Sequence, residues 1–310
     1  MTSLARLRGG PAEPVRGPAA GGVDVSVIMV VYRTGPALPE SLRRVLESGE
    51  VHELVVVDNG STETEAAAID AVAAQDRRVK VLRGHGNVGF ARAANMGAAA
   101  AQGRLLVFLN PDAFLEPGCI AALDAALDPA NPPCLVGARV MNIDGTEQRG
   151  ARRGEVTPAS TFLTFTRLAQ RVRGLNGYEI HHQDDPLPEG PEAVPTVSGA
   201  CFAMTRADFA AVGGFDEGYF LHVEDIDLCW RVRRSGGKVL FQPNARVTHL
   251  GSTSLKAPLF VEVSKGFGLA RYFRKRATTL PGKAFAVLLL PALIAVSAGR
   301  ASLRRRPHRD

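Results

Sequence analysis

The feature that most constrains the fold is an alternation of apolar runs and helix-forming segments between residues 25 and 112. The runs VSVIMVVY, ELVVVDNGS, VKVLRG and RLLVFLNPD are rich in β-branched residues, as is typical of strands buried on both faces of a parallel sheet. Segments with helical patterning separate them. The alternation predicts an α/β fold with a Rossmann-like, doubly wound and mostly parallel sheet, in which residues 24–130 form a nucleotide-binding half.

The segments around this half are predicted from composition and from the return of the pattern. Residues 1–23 are rich in Pro, Gly and Ala and lack an apolar run of signal-peptide length, so we expect a disordered lead-in and no export. Strand and helix patterns return within residues 131–264, which we expect to form a second half on the same sheet. The four widely spaced cysteines indicate neither a zinc site nor a disulfide framework, which favours a reducing cytoplasm.

The formal net charge of +6 is concentrated at the C-terminal end of the sequence. From Lys265 to Asp310 there are eleven Lys or Arg residues and one acid, so the rest is slightly acidic and nucleic-acid binding is not indicated. Basic residues around the apolar run of residues 284–298 suit an anionic membrane surface. The run is shorter than the ~20 residues of a spanning helix and contains Pro291. We expect residues 265–310 to form a helical tail that lies on the membrane surface or inserts shallowly; a buried or partner-packing helix and a true span are alternatives.

Polar residues follow the predicted strands where an open α/β sheet binds its ligands, beyond the carboxyl ends of the strands. Asp58 ends the second strand and precedes a turn that offers an N-cap to the next helix. It is equally placed to accept the imide N–H of uracil or thymine. The sequence around Asp58 alone does not separate these two interpretations.

Two further strand ends indicate phosphate and metal chemistry. The stretch GHGNVGFARAANMG places glycines before a helix start, a geometry that brings backbone N–H groups to a nucleotide. It is not the GxGxxG fingerprint, which is also missing after the first strand, so NAD or FAD binding is disfavoured. In FLNPD, Asn110 and Asp112 alternate and can face one Mg²⁺ or Mn²⁺ shared with diphosphate oxygens. A simple Pro-Asp turn is the alternative.

The stretch YFLHVEDIDLCWRVRRSGG contains the densest group of charged residues. Glu224, Asp225 and Asp227 precede a basic helix end, an order that the helix dipole alone favours. Because they follow aromatic and apolar residues, we also expect a partly desolvated carboxylate with a raised pKa that acts as a general base. His249 ends another predicted strand and is either structural or faces the same loops.

Taken together, these stretches resemble family 2 glycosyltransferases of the GT-A fold, in particular the rhamnosyltransferase-like branch that builds bacterial cell-surface polysaccharides. The resemblance covers roughly residues 25–276. It rests on VSVIMVVY, VVVDNGS, GNVGFARAANMG, FLNPD, VSGACFAMTR, GGFDEGYFLHVEDIDLCWR and VTHLGSTS in the order of that family.

The resemblance implies three groups of site residues. Asp225 would be the catalytic base, with Glu224 beside it. Asp112 would be the metal-binding acid of the DxD element, which here has a single carboxylate, and His249 is our hypothesis for a further ligand of the ion. The residues implied for the nucleotide and donor are Tyr32, Asp58, Asn87, Gly89, Asn95 and Asn110.

The implied activity is the metal-assisted, inverting transfer of a sugar from a nucleoside-diphosphate sugar to a hydroxyl of a glycan or lipid-linked acceptor. Mg²⁺ or Mn²⁺ would be the cofactor, and the enzyme would be cytoplasmic and peripheral at the inner membrane face. A catalytically silent nucleotide-sugar-binding assembly protein is one alternative, although it would not need a base. A nucleotidyltransferase is another, but YRTGPALPE lacks the lysine expected in its phosphate loop.

Overall fold

A computed structural model describes residues 24–166, 168–251, 258–288 and 291. The lead-in predicted for residues 1–23 lies outside the described residues.

The strands follow the predicted runs closely in the first half of the chain. In chain order they are β1 (Val25–Val31), β2 (Glu53–Asp58), β3 (Val79–Leu82), β4 (Leu105–Leu109), β5 (Ala113–Leu115), β6 (Cys134–Met141), β7 (Arg152–Arg153), β8 (Glu192–Ala193), β9 (Thr196–Val197), β10 (Cys201–Thr205) and β11 (Lys238–His249).

The helices that connect and flank these strands are α1 (Leu38–Glu47), α2 (Glu63–Gln75), α3 (Phe90–Ala100), α4 (Cys119–Ala125), α5 (Pro158–Phe165), α6 (Leu168–Arg171), α7 (Arg206–Ala211), α8 (Glu224–Arg234), α9 (Pro258–Arg276) and α10 (Leu280–Leu288). A short 3-10 helix covers Asn176–Tyr178.

Within the described residues, nine strands form one mixed sheet in the order β3-β2-β1-β4-β10-β6-β11-β5, with β8 paired to β11. The four strands β3, β2, β1 and β4 are parallel, as predicted, whereas β10 is antiparallel to both β4 and β6. Strand β11 is parallel to β6 and antiparallel to β5. Because β5 lies at the edge beyond strands of the second half, both predicted halves contribute to one continuous sheet.

Apolar side chains cover both faces of the sheet and make a three-layer α/β structure. Every residue of β1, β2 and β4 is buried, which confirms the prediction of strands covered on both faces. Helices α1, α2 and α4 contribute to the apolar cluster on one face, and α3, α7 and α8 to the cluster on the other. The prediction of an α/β fold with a Rossmann-like first half is confirmed.

Helix α9 packs onto the second half through a third apolar cluster. Tyr272 and Phe273 are buried there together with Tyr219 and Ile226, which flank the start of α8. The predicted boundary at residues 264/265 falls inside this continuous helix. The predicted boundary rests on a change in charge along the sequence. The helix runs across it because apolar residues of α9 pack against the domain.

Several basic residues of the predicted membrane tail contact acids of the domain. Arg271 and Lys275 bind the Asp216 carboxylate at 2.8 Å, and Arg276 pairs with Glu155. These contacts show that part of the tail's positive charge serves α9 packing. Among the described helices, none is both long and apolar enough to cross a membrane. Most of the apolar run of residues 284–298 lies outside the described residues.

Candidate functional site

Asp58 closes a turn at the carboxyl end of β2. Its Oδ1 accepts hydrogen bonds from the backbone N–H groups of Ser61 at 2.9 Å and Gly60 at 3.2 Å. The N-cap of α2 is Thr62, one residue beyond the turn, in a capping box with Glu65. None of residues 58–61 is therefore the N-cap of α2. Asp58 instead stabilises the turn that precedes the capping residue Thr62.

The second oxygen of Asp58 faces a cation, and an aromatic ring packs against the turn that Asp58 closes. Arg83 Nε approaches Asp58 Oδ2 to 3.2 Å. Burial raises the pKa of Asp58, but the N–H donors of Ser61 and Gly60 and the Arg83 charge outweigh it, so the pKa is lowered. Tyr32, at the end of β1, packs against the left-handed Gly60, where an added Cβ would lie 3.3 Å from its ring. An ionised carboxylate and an aromatic face thus lie together at this edge of the sheet.

The loop before α3 is tied to the end of β2 by Asn59, which the sequence analysis did not single out. Its Nδ2 donates to Asn87 Oδ1 at 3.0 Å, and its Oδ1 accepts from Val88 N–H at 2.9 Å. Gly89 has φ +85, and a Cβ there would lie 2.7 Å from the Phe220 carbonyl oxygen. Gly89 therefore lies close against the backbone of the loop before α8, and its predicted approach to a nucleotide stays a prediction.

Asn95 has a structural role that differs from the predicted donor contact. Its Oδ1 accepts from the Phe215 N–H and its Nδ2 donates to the Phe215 carbonyl oxygen, both at 2.9 Å. A further bond from Nδ2 reaches Glu217 Oε1 at 3.2 Å. Because both amide protons are used, Asn95 fixes the loop after α7 onto α3. The sequence hid this role, since the partners are 120 residues away.

Asp112, Asn110 and His249 converge as the sequence predicts. His249 Nε2 lies 3.1 Å from Asp112 Oδ1 and 3.3 Å from Asn110 Nδ2. On the other side of the ring, His249 Nδ1 is 2.7 Å from Gln148 Oε1, while Gln148 Nε2 donates to the His249 carbonyl oxygen at 3.1 Å. Antiparallel pairing of β11 with β5 sets His249 opposite Ala113, which brings residues 137 positions apart into contact.

The chemistry of this cluster fits a divalent cation. Gln148 uses its N–H group on a carbonyl, so its Oε1 faces Nδ1, which donates to it. The other ring nitrogen of His249, Nε2, lies beside the Asp112 carboxylate, and an imidazole nitrogen and a carboxylate oxygen are both groups that bind metal cations. Within the described residues, no group of three or more His, Cys, Asp or Glu side chains could hold a metal ion. A cation held by Asp112 and His249 would have coordination positions left for substrate oxygens.

The carboxylates of α8 are presented by a strained turn. His222 and Val223, the two residues before the helix, have φ +66 and +73, a region that non-glycine residues rarely occupy. This turn places Glu224 and Asp225 in the first turn of α8. Asp225 Oδ2 pairs with Arg153 and accepts from the Gly199 N–H at 3.2 Å.

The two adjacent acids have opposite pKa shifts. Burial raises the pKa of Glu224 to about 8, and the negative charge of Asp225 adds to the shift. Burial also acts on Asp225, but the charge and hydrogen bond of Arg153 outweigh it and lower the pKa of Asp225. The raised pKa expected for a base is therefore found on Glu224 and not on Asp225, because Arg153 pairs with Asp225. Arg153 lies 72 positions away in sequence, so the local pattern did not indicate this pairing. Asp225 is ionised at neutral pH, and Glu224 is protonated.

One turn, residues 198–200, connects Asp225 to the cluster of Asn110, Asp112 and His249. The Ala200 carbonyl oxygen accepts from the Asn110 N–H at 2.9 Å, while the Gly199 N–H donates to Asp225. A Cβ at Gly199 would lie 3.2 Å from the Cβ of Asp225, so the turn and α8 are in close contact. The two acidic motifs are thus held by the same three residues.

Asp227 links α8 to α9 and to the loop before α8. It is fully buried, and its carboxylate binds Arg231 Nε at 2.7 Å, Lys275 Nζ at 2.8 Å and the Tyr219 hydroxyl at 3.2 Å. Arg231 lies four residues further along α8, so this pair is local to the helix. Lys275 of α9 completes a network that local sequence patterns did not indicate.

Family models match most of the chain. The model for glycosyl transferase family 2 matches residues 26–212, and a model described as the N-terminal domain of galactosyltransferase matches residues 187–253. These matches cover both halves of the sheet.

Two of the similar curated proteins come from bacteria. The chain is 28% identical over 236 residues to the N-acetylglucosaminyl-diphospho-decaprenol L-rhamnosyltransferase of Mycobacterium tuberculosis, covering 72% of this chain and 75% of that protein. It is also 28% identical to the O-antigen biosynthesis protein RfbC of Myxococcus xanthus, covering 83% of this chain but 20% of RfbC.

Solved structures share the fold at low identity. GalNAc-T7 with UDP, GalNAc and Mn²⁺ has a TM-score of 0.58 at 19% identity and covers 94% of this chain and 53% of its own. The mannosyltransferase PcManGT of Pyrobaculum calidifontis with GDP-Man and Mn²⁺ has a TM-score of 0.56 at 17% identity, covering 95% and 80%. These similarities confirm the GT-A fold. Together with the family-model match, they identify the chain as a glycosyltransferase that belongs to glycosyl transferase family 2.

Proposed function

We propose that this glycosyltransferase moves a sugar, with rhamnose as the first candidate, from a nucleoside diphosphate to a hydroxyl of a lipid-linked glycan, with inversion. The name of the Mycobacterium tuberculosis relative supports both the sugar and the lipid-linked acceptor. RfbC supports a place in cell-surface polysaccharide synthesis.

The donor base is assigned to the edge formed by β1 and β2. The ring of Tyr32 offers a stacking surface, and Asp58 offers an ionised acceptor for an imide N–H. When the donor binds, Arg83 would share Asp58 Oδ2 with the nucleobase or move aside. Asn87 and Gly89, held by Asn59, border this edge and are assigned to the rim of the donor pocket.

Asp225 is assigned as the general base. Its lowered pKa keeps the carboxylate ionised, so it can accept the proton of the acceptor hydroxyl as that oxygen attacks the anomeric carbon; the same shift makes it a weaker base than a carboxylate of ordinary pKa. Arg153 holds the carboxylate in place. The carbon–oxygen bond to the diphosphate breaks as the new glycosidic bond forms, and a single displacement inverts the anomeric configuration.

The observation that carries this assignment is the shared turn of residues 198–200. Through it, the ionised Asp225 and the Asp112–His249 cluster are held at one edge of the sheet, as a base and a leaving-group site must be. Asp112 and His249, with Asn110 beside them, would hold Mg²⁺ or Mn²⁺. When bound, the ion would offset the negative charge that develops on the departing diphosphate.

Thermal unfolding with dTDP-, UDP- and GDP-linked sugars, with and without Mn²⁺, tests the donor and metal assignments. We expect one donor class to stabilise the protein only when Mn²⁺ is present, by about 2.7 kcal/mol at 100 times its dissociation constant. Asp112→Asn should abolish the Mn²⁺-dependent part, because it removes the carboxylate ligand. The matched variant Asp144→Asn, in an exposed turn, should keep it. Equal stabilisation of the Asp112→Asn variant would contradict the metal assignment.

We also propose that the enzyme works at the inner face of the cytoplasmic membrane. Five arginines within residues 300–309 and the apolar run before them support this location. The full chain should sediment with anionic but not zwitterionic vesicles. Replacing the five arginines by glutamine should weaken that binding at least tenfold, since each contributes roughly 1 kcal/mol near the surface. Unchanged sedimentation would contradict the proposal.

A further inference from the structure

A cleft with a volume of about 360 Å³ lies between α9 and the loop of residues 218–222. Phe260, Ser264, Phe267 and Gly268 line it from α9, where their spacing places them on one face of the helix. The volume is in the range of small-molecule sites, roughly 300–1,000 Å³.

The cleft walls are apolar and reach the surface. Phe220, Phe260 and Phe267 are 41%, 46% and 54% exposed, although most large apolar side chains of the domain are buried. The Phe220 and Phe260 rings meet edge to face with centroids 6.0 Å apart. Exposed aromatic groups gathered around a concavity indicate a binding site for an apolar group.

The floor of the cleft adjoins the candidate active site. A Cβ at Gly268 would lie 2.8 Å from Val223 Cγ2 and 3.1 Å from the His222 carbonyl oxygen, and these residues directly precede Glu224 and Asp225. On the opposite side, the Phe220 carbonyl oxygen accepts from the Phe90 N–H at 2.9 Å. The loop of residues 218–222 therefore separates the donor-side loop from the cleft.

We propose that this cleft binds the hydrocarbon chain of the lipid-linked acceptor next to its diphosphate. The inference rests on the proposed function, which supplies a long-chain acceptor. A hydrocarbon fits because the walls are aromatic and the site is concave, and because it leads from the surface to the residues that present the base. Binding there would hold the acceptor sugar at Asp225 and make the enzyme prefer long-chain acceptors to short ones.

The test compares two acceptors that carry the same GlcNAc diphosphate, one on a polyprenyl chain in detergent micelles and one on a short alkyl group. In the full chain, Phe267→Ser removes a wall of the cleft and Ser264→Phe fills it. For both variants we expect kcat/KM to fall at least about tenfold with the polyprenyl acceptor and less than about twofold with the short one, because an aromatic contact is worth that much. Phe162→Ser, at a similarly exposed phenylalanine on α5, is the matched control and should leave both values unchanged.

Each outcome decides the proposal. Parallel losses with both acceptors, or no loss with either, overturn the cleft assignment. The same two results are expected if the chain's own residues or a second copy fill the cleft. Transfer by the wild-type chain keeps the proposed function in these cases. No transfer to either acceptor by the wild-type chain, with the donor from the thermal screen, overturns the proposed function and the cleft assignment with it.

Discussion

Asp225→Asn is expected to lower turnover by at least about 10² while donor binding persists. The amide cannot accept the proton of the acceptor hydroxyl, and general base catalysis commonly contributes 10²- to 10⁴-fold. The amide also keeps the size of the carboxylate and can still accept from the Gly199 N–H, so the turn of residues 198–200 should stay in place. Steady-state kinetics give the loss, and the donor-dependent thermal shift checks that the nucleotide site is intact.

The control for this variant is Asp185→Asn, an exposed carboxylate that pairs with His182. It should retain wild-type turnover, because it is outside the candidate site. An Asp225→Asn enzyme with near-normal turnover would show that a group other than Asp225 takes the proton.

Asp227→Ala is expected to destabilise the protein by about 3 kcal/mol or more. Removing this fully buried carboxylate leaves the Arg231 and Lys275 cations without their shared partner, and breaking a buried pair typically costs about 3–5 kcal/mol. The remaining contact of Lys275 with Asp216 keeps the expected value at the lower end. Chemical denaturation gives the free energy of unfolding.

The matched control is Glu47→Ala, which breaks the exposed pair with Arg43 on α1. An exposed pair contributes about 1 kcal/mol at most, so this variant should be nearly as stable as the wild type. A loss no larger for Asp227→Ala than for Glu47→Ala would mean that α9 does not anchor α8 through this network.

Local patterns were sufficient for the first half of the fold. The runs that became β1, β2 and β4 are continuous and apolar because both faces of these strands are covered, and that is visible in sequence without any partner. The segments with helical patterning between these runs form α1, α2 and α3. The reversed strand β10 was not predicted, because strand direction in a mixed sheet depends on its neighbours and not on its own residues.

Sequence order was sufficient to find the acidic residues but not to predict the direction of their pKa shifts. Asp58, Asp112 and Asp225 were selected because they follow strands or begin a helix, and parallel strands present their carboxyl ends at one edge. The pKa values depend on long-range partners such as Arg153, whose charge lowers the pKa of Asp225. The hydrogen bonds of Asn95 to Phe215 were not visible in the sequence for the same reason, since Phe215 is 120 positions away.

The strand runs, the helix periods and the order of acidic motifs come from short stretches of sequence, because burial on a sheet or helix face leaves a local period of apolar residues. Tertiary structure decided the contacts that turn those motifs into a site: Arg153 with Asp225, Gln148 with His249, and the cleft between α9 and residues 218–222. Such contacts join residues brought together by sheet order and helix packing, and hydrogen bonds or ion pairs of this kind impose no period on the sequence.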